Sequence, residues 1–523
     1  MKVPPYLLNV IFADHEVRLN GLCSKAGISK RLSGITKKFA LSGCLLFISP
    51  SVLSLALDID IPTPLEAVIV DKVVSAYGGK ALVNANSIKV VDYNKGPWPG
   101  EGESPDVPEL WRINEELTID YANKRKSLLS YRVPRTTLDL EKWIYDGTST
   151  VMYDILHEKY SVEDWADFDR LGSSLVRSSD TLQAKRLAGL LNELEYRGEE
   201  YYRGKLQQKL QLKQASGEIY TYFIDKASGL INKIRREHPR AGEMLYVFSN
   251  HNTNSELTFA RDMNFFVNGQ LRLLSVKRDI QLNPDLTNAF TGFAHFTPWG
   301  ELFDRSTLQA KKLADGVYQA GKGRTFTVFV EQLDFYIAMG AADGLAENFA
   351  AIKQLSQQDK PIKYFVVTHH HNASLRGLDN ALALGATLVM AEPHQGSVLQ
   401  ALNTTTSADN LLLVPPGASL TLGNLTLFDI ATAHSQHYLL AYLPVPRMVL
   451  AEDHYVTELQ SAKPRIYQDM VRFRQALDEL DIEVKTLVDI RGWRQFSIAE
   501  FNLWTSEFKT KRCPSGYDIC TNG

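Results

Sequence analysis

Net charge is scarce in this chain, where 57 Lys and Arg against 60 Asp and Glu leave about −3 over 523 residues. With no charge excess of either sign, a polyanionic partner such as nucleic acid is not expected. Cysteine is scarcer still, at four in the whole chain. That excludes a disulfide-dense scaffold and a cysteine-built zinc knuckle. Internal repeats and low-complexity tracts are absent, so a solenoid is not expected either. Only one long apolar run occurs, over residues 39–57, and Pro50 with Ser42, Ser49, Ser51 and Ser54 makes it too weakly apolar for a stable membrane span.

What is present fits an ordinary globular protein, 44% hydrophobic and 22% charged. Its length exceeds what one hydrophobic core organises, so two domains plus processing segments are expected. Arg31, Lys37 and Lys38 precede the apolar run, and small residues at Ser54 and Ala56 precede the first acidic ones, Asp58 and Asp60. This is the order of a secretory signal, so residues 1–56 read as a signal peptide with an extended basic region, and the mature protein is expected to be periplasmic or secreted. The Leu41-Ser42-Gly43-Cys44 stretch imitates a lipoprotein cleavage box, but the apolar residues mostly follow the cysteine, which argues against lipidation. Cleavage near Ala56 removes Cys23 and Cys44, leaving Cys513 and Cys520 either to close a small disulfide loop or to remain free thiols in a C-terminal tail over 506–523.

Residues 57–300 read as a β-rich domain. Thr63-Pro64 serve as N-cap and first helical residue for a helix bearing Leu65, Ile69, Val73 and Ala76 on one face and stopping at Gly78-Gly79. Alternation then predicts strands at 87–93, 116–121, 206–213, 219–224 and 271–280, with a hairpin turn at 225–231. Between them, residues 162–202 carry Leu, Ala, Glu and Arg at helical spacing and are expected to form a helical insert. A helix followed by a curved sheet resembles the half-barrel of periplasmic lipoprotein carriers. Residues 283–303, with Pro284, Gly292, Pro298 and Gly300, read as a connection to a second domain at 305–505.

In that second domain, short strands and a helix lead to an apolar strand at 364–368, and at its end stands Thr368-His369-His370-His371-Asn372. Side chains projecting from the C-terminal edge of a buried strand are where layered α/β folds hold ligands. His369 and His371 flank one residue, a spacing from which two imidazoles can converge on a cation such as zinc, iron or copper, although three successive histidines also occur as surface accidents.

Over residues 313–501 the chain resembles the metallo-β-lactamase superfamily, whose T-H-x-H-x-D-H-x-G-G motif is followed by a histidine, an aspartate and a final histidine, each after a later strand. Thr368, His369 and His371 match the opening, His434 in TAHSQHY matches the third histidine, and Asp453 in LAEDHY matches the aspartate. The resemblance implies an α+β protein whose C-terminal part is an αββα sandwich, with one metal ion on His369, His371 and His434 and with Asp453 as ligand or catalytic assistant. Ala373, Ser374 and Arg491 stand where the family carries its second-site Asp and two histidines, so one metal pocket is kept and the other lost. Arg491 pairs either with an anionic substrate group or with Asp453 or Asp489, and His394 and His437 are further candidates for substrate contact.

Three functions follow as expectations. The first is a zinc hydrolase acting on a small-molecule ester, lactone, amide or thioester; the second is a non-catalytic binding module. The third is a mono-iron oxygenase of the persulfide dioxygenase type, built on His369, His434 and Asp453.

Overall fold

The computed structural model describes residues 64–134, 137–239, 241–252, 257–402, 410–455 and 459–520. The signal-like segment, Cys23, Cys44 and Thr63 lie outside the described residues. The first described element is the helix Leu65–Tyr77, and here Pro64 is the N-cap rather than the first helical residue. Its extended backbone, φ −51° and ψ 139°, keeps it out of the helical turn. Ile69, Val70, Val73 and Tyr77 are buried, so the face expected from the spacing is the one that packs.

The alternating segments form one open sheet of fourteen strands. It is antiparallel apart from a two-residue bridge between Thr297–Pro298 and Lys159–Val162. The first long strand, Ser87–Trp98, pairs both with its successor Glu109–Asp120 and with the last long strand Gln270–Leu282. Ile88, Val90, Leu117 and Trp143 point from this sheet into a core shared with Val73 and Tyr77 of the first helix and Leu182 and Leu187 of a second. Tyr77 ties that packing together by donating to Asp180 Oδ2 at 3.0 Å while accepting from the backbone of Ile231 at 3.1 Å. The turn at 225–231 forms as expected, with Asp225 Oδ1 accepting from the amide of Ala227 and Gly229 at φ +81°.

The expected helical insert over 162–202 needs correction. Helices cover only Ser173–Ser178 and Asp180–Gly189, and Leu194–Tyr202 is an edge strand. Its Glu and Arg residues imitate a helix, but Arg203 and Gly204, both at positive φ, turn the chain directly into Lys205–Lys213, and pairing with that strand wins.

The C-terminal half contains a seven-stranded and a six-stranded sheet. Val328, Val330, Ile337, Met339, Val366 and Val389 of the first share one core with Leu425, Leu427, Leu439, Ala441, Leu450 and Val488 of the second. The other face of the first sheet packs on helices Leu345–Ser356 and Leu378–Ala383, and that of the second on Gln468–Asp478 and Ile498–Ser506. The order is therefore α, β, β, α. Strands such as Tyr438–Leu443 are buried on both faces, which is why they are apolar throughout and show no alternation. Among the described residues, no helix is long and apolar enough to cross a membrane.

The tail does not hang free. Cys513 and Cys520 form a disulfide, and Ile519 and Cys520 are buried against Tyr93, Tyr131 and Leu140 of the fourteen-stranded sheet. Asn114 donates to the Ile519 carbonyl at 2.7 Å. Closing a loop this short restricts the unfolded chain by about 2 kcal/mol, so Cys513→Ser is expected to lower stability by that order. Urea unfolding of the variant beside the reduced wild type checks this, since the two should coincide.

Candidate metal centre

Every ligand candidate sits just beyond the C-terminal end of a strand. His369 and His371 follow Ile362–Val366, His434 follows Leu425–Ile430, Asp453 follows Met448–Ala451 and Arg491 follows Thr486–Asp489. The two sheets meet here, for the amide of Leu439 donates to the carbonyl of Thr368 at 2.8 Å. Local hydrogen bonds set each loop. Thr432 Oγ1 accepts from the amides of His434 and Ser435, and the phenol of Tyr438 bonds both the amide and the carbonyl of Glu452. That leaves Asp453 in the left-handed region at φ +63°, a conformation Asp tolerates and one that turns its side chain toward the histidines.

His369, His371 and His434 converge, with one ligand atom from each lying within 4.8 Å of the others. Asp453 Oδ2 stands 3.6 Å from His369 Nε2 and 3.8 Å from His434 Nε2. The hydrogen-bond donors fix which nitrogens carry protons. Thr368 donates its single hydroxyl proton to Glu452 Oε2 at 2.5 Å, so its oxygen is the acceptor for His369 Nδ1 at 3.0 Å. Nε2 of His369 is then the bare nitrogen, fully buried and without a hydrogen-bond partner. Burial and the neighbouring His371 and His434 hold this imidazole well below its usual pKa, and therefore neutral. In His371, Nε2 lies 3.0 Å from the carbonyl of Gly102, which can only accept, so the lone pair belongs to Nδ1. A neutral His369 with its bare Nε2 turned inward, and a His371 whose hydrogen-bonded Nε2 leaves the lone pair on Nδ1, converge with His434 as the nitrogen donors of a zinc or iron site, and these residues fit such an ion.

Burial works to raise the Asp453 carboxyl, but Arg491 and His434 outweigh it and keep the group ionised, well below the usual carboxylate range. Arg491 lies beside Asp453, at the other side of its carboxylate from the histidines. Its Nη2 donates to Ser374 Oγ at 2.8 Å, its Nε donates to Glu452, and its Nη1 lies 3.6 Å from Asp453 Oδ1. Asp453 thus faces the histidine cluster with one oxygen and a fixed guanidinium with the other. Gln319, fully buried, holds the Arg491 loop by donating to the carbonyls of Asp489, Ile490 and Gly492.

The remaining candidates lie outside the triad. His394 is buried against His370 at 3.3 Å, and burial pushes it down to about 3, so it offers substrate no exposed atom. His437 binds Asp429 Oδ2 at 2.9 Å. Two acidic residues were not anticipated from sequence. Glu452 reads there as the neighbour of a motif aspartate, yet it anchors both Thr368 and Arg491. Glu101 comes from the hairpin between the first two strands of the other sheet, and its Oε2 lies 3.6 Å from His371 Nδ1. The only signal for it is a glycine-rich acidic stretch, Gly100-Glu101-Gly102-Glu103, between two alternating strands.

Thr368→Val removes the link between Glu452 and His369 while keeping the side-chain volume. We expect zinc affinity to fall about 10- to 100-fold, the range for an outer-shell partner of a ligating histidine, as measured by competition with a chromophoric chelator.

No family model matches the chain, and no curated protein matches it. Solved structures do match part of it. The metallo-β-lactamase FIM-1 from Pseudomonas aeruginosa in its mono-zinc form is 17% identical, with 39% of this chain and 95% of that one covered at a TM-score of 0.30. The metallo-β-lactamase from Hirschia baltica is 14% identical, with 38% and 96% covered at 0.28. The flavodiiron protein from Giardia intestinalis is 17% identical, with 38% and 58% covered at 0.29. At these scores the alignments add nothing to the strand order, layered core and histidine geometry described above.

Proposed function

We propose that this protein is an exported, single-zinc hydrolase of the metallo-β-lactamase type, acting on an ester, lactone, amide or thioester of a small molecule. One observation carries the reading: three imidazoles converge from two sheets, and one of them presents a buried, unprotonated Nε2 that no protein group satisfies. Zinc bound there supplies Lewis acidity toward a carbonyl oxygen and a water whose pKa approaches neutrality. The chain's own part is positional. Thr368 fixes the His369 tautomer, Tyr438 holds the turn that aims Asp453, and Arg491 keeps Asp453 ionised beside the triad. Arg491 also places a permanent positive charge where a second cation would bind, so one ion per chain is expected.

The Cys513–Cys520 disulfide supports an oxidising compartment, and fractionation of the full chain should find a mature N-terminus near residue 57 outside the cytoplasm. A second reading, a mono-iron oxygenase, draws on Asp453 lying within 3.8 Å of both His369 and His434. Metal analysis of the purified protein, with hydrolysis assayed on chromogenic esters, lactones and thioesters, decides between them. Close to one equivalent of zinc, with activity lost in His369→Ala/His434→Ala, supports the hydrolase; one equivalent of iron moves the assignment to the oxygenase. Failure to bind metal after supplementation removes both and leaves a binding module.

A further inference from the structure

The β1 strand Ser87–Trp98 and the β2 strand Glu109–Asp120 belong to the fourteen-stranded sheet, yet the loop joining them docks on the histidine cluster of the other half. Its backbone and side chains meet both ligand loops. The carbonyl of Gly102 accepts from His371 Nε2 at 3.0 Å, and that of Glu103 accepts from the amide of Gln436, two residues beyond His434, at 2.8 Å. Asn372 Nδ2 donates to the carbonyl of Pro99 at 3.2 Å and to Glu101 Oε1 at 2.9 Å. Glycine at 102 lets the loop fold back on itself, since a Cβ there would lie 1.7 Å from the Val107 carbonyl oxygen.

Resting on the metal site proposed above, we propose that Glu101 is a ligand of the same ion, contributed by the N-terminal sheet, so that the metal joins the two halves of the chain. Asn372 holds Oε1 and leaves Oε2 facing His371 Nδ1, the nitrogen that carries the lone pair. The two atoms are 3.6 Å apart. That is longer than a hydrogen bond, and it is close to the roughly 3.3–3.4 Å between two ligand atoms on a tetrahedral zinc with bonds of about 2.0–2.1 Å. Asp453 Oδ2 keeps the same 3.6 Å from His369 Nε2.

The test uses the full-length protein, with zinc affinity measured by chelator competition and the visible spectrum recorded after cobalt substitution. Glu101→Gln retains an oxygen for Asn372 but loses the charged ligand. Zinc affinity should fall at least about tenfold and the cobalt bands should shift, while the metal-free unfolding midpoint stays at the wild-type value. An unchanged affinity and spectrum in Glu101→Gln, with wild type binding one equivalent, overturns the role of Glu101 and leaves the histidine site standing. If the wild type binds neither metal, both the site and this inference fall.

Discussion

Zinc should raise the thermal unfolding midpoint of the wild-type chain and leave that of His369→Ala unmoved. A ligand that binds only the folded state stabilises it by about 2.7 kcal/mol at a hundredfold excess over its dissociation constant. For a domain of this size that corresponds to several degrees. His369 is the residue to remove because its Nε2 is the buried nitrogen without a partner, and because its other nitrogen is committed to Thr368. Alanine deletes that nitrogen and leaves only two imidazoles. The same substitution relieves a buried polar atom that is unsatisfied without metal, so the metal-free variant should unfold no earlier than metal-free wild type by more than about 2 kcal/mol. Differential scanning with and without zinc checks both statements. Equal zinc-induced shifts in the two proteins would show that the ion binds elsewhere.

The largest loss of stability is expected from Arg465→Ala. This arginine comes from the C-terminal half, is 1% exposed, and reaches into the fourteen-stranded sheet. Its Nη1 lies 3.0 Å from Glu141 Oε1 and 3.4 Å from Asp139 Oδ1, and its Nε lies 2.9 Å from Asp154 Oδ2. Removing the cation takes a shared counter-charge from Asp139, Glu141 and Asp154, and breaking a buried ion pair in this way costs about 3–5 kcal/mol. Lysine should not rescue it, because one ammonium cannot present the planar fork that faces acids on two adjacent strands. Urea denaturation of Arg465→Ala and Arg465→Lys measures the effect, and a midpoint within error of wild type in either variant would contradict it.

Much of this was readable from the residues. The αββα order was implied by the resemblance carried on Thr368, His369, His371, His434 and Asp453, and the structure brings three of these, His369, His371 and His434, together. The turn at 225–231 was legible because Asp and Gly act locally. The helical insert differs from expectation where Leu194–Tyr202, with a helix-like composition, finds a strand partner just beyond the two-residue turn Arg203-Gly204. Local composition records propensity, whereas pairing is settled by the neighbour.

The sequence alone therefore determined which side chains could bind a metal, because that depends on residue type at the end of each strand. Tertiary structure alone decided that Arg491 pairs with Asp453 and Ser374, that Glu452 links it to Thr368, and that the tail and Arg465 lock the halves together. It alone brought Glu101 beside His371, 270 positions away in the chain. No periodicity encodes such a contact: a hairpin loop leaves no pattern that says which distant surface it will cover, and only the packing of one sheet's end against the other half settles that.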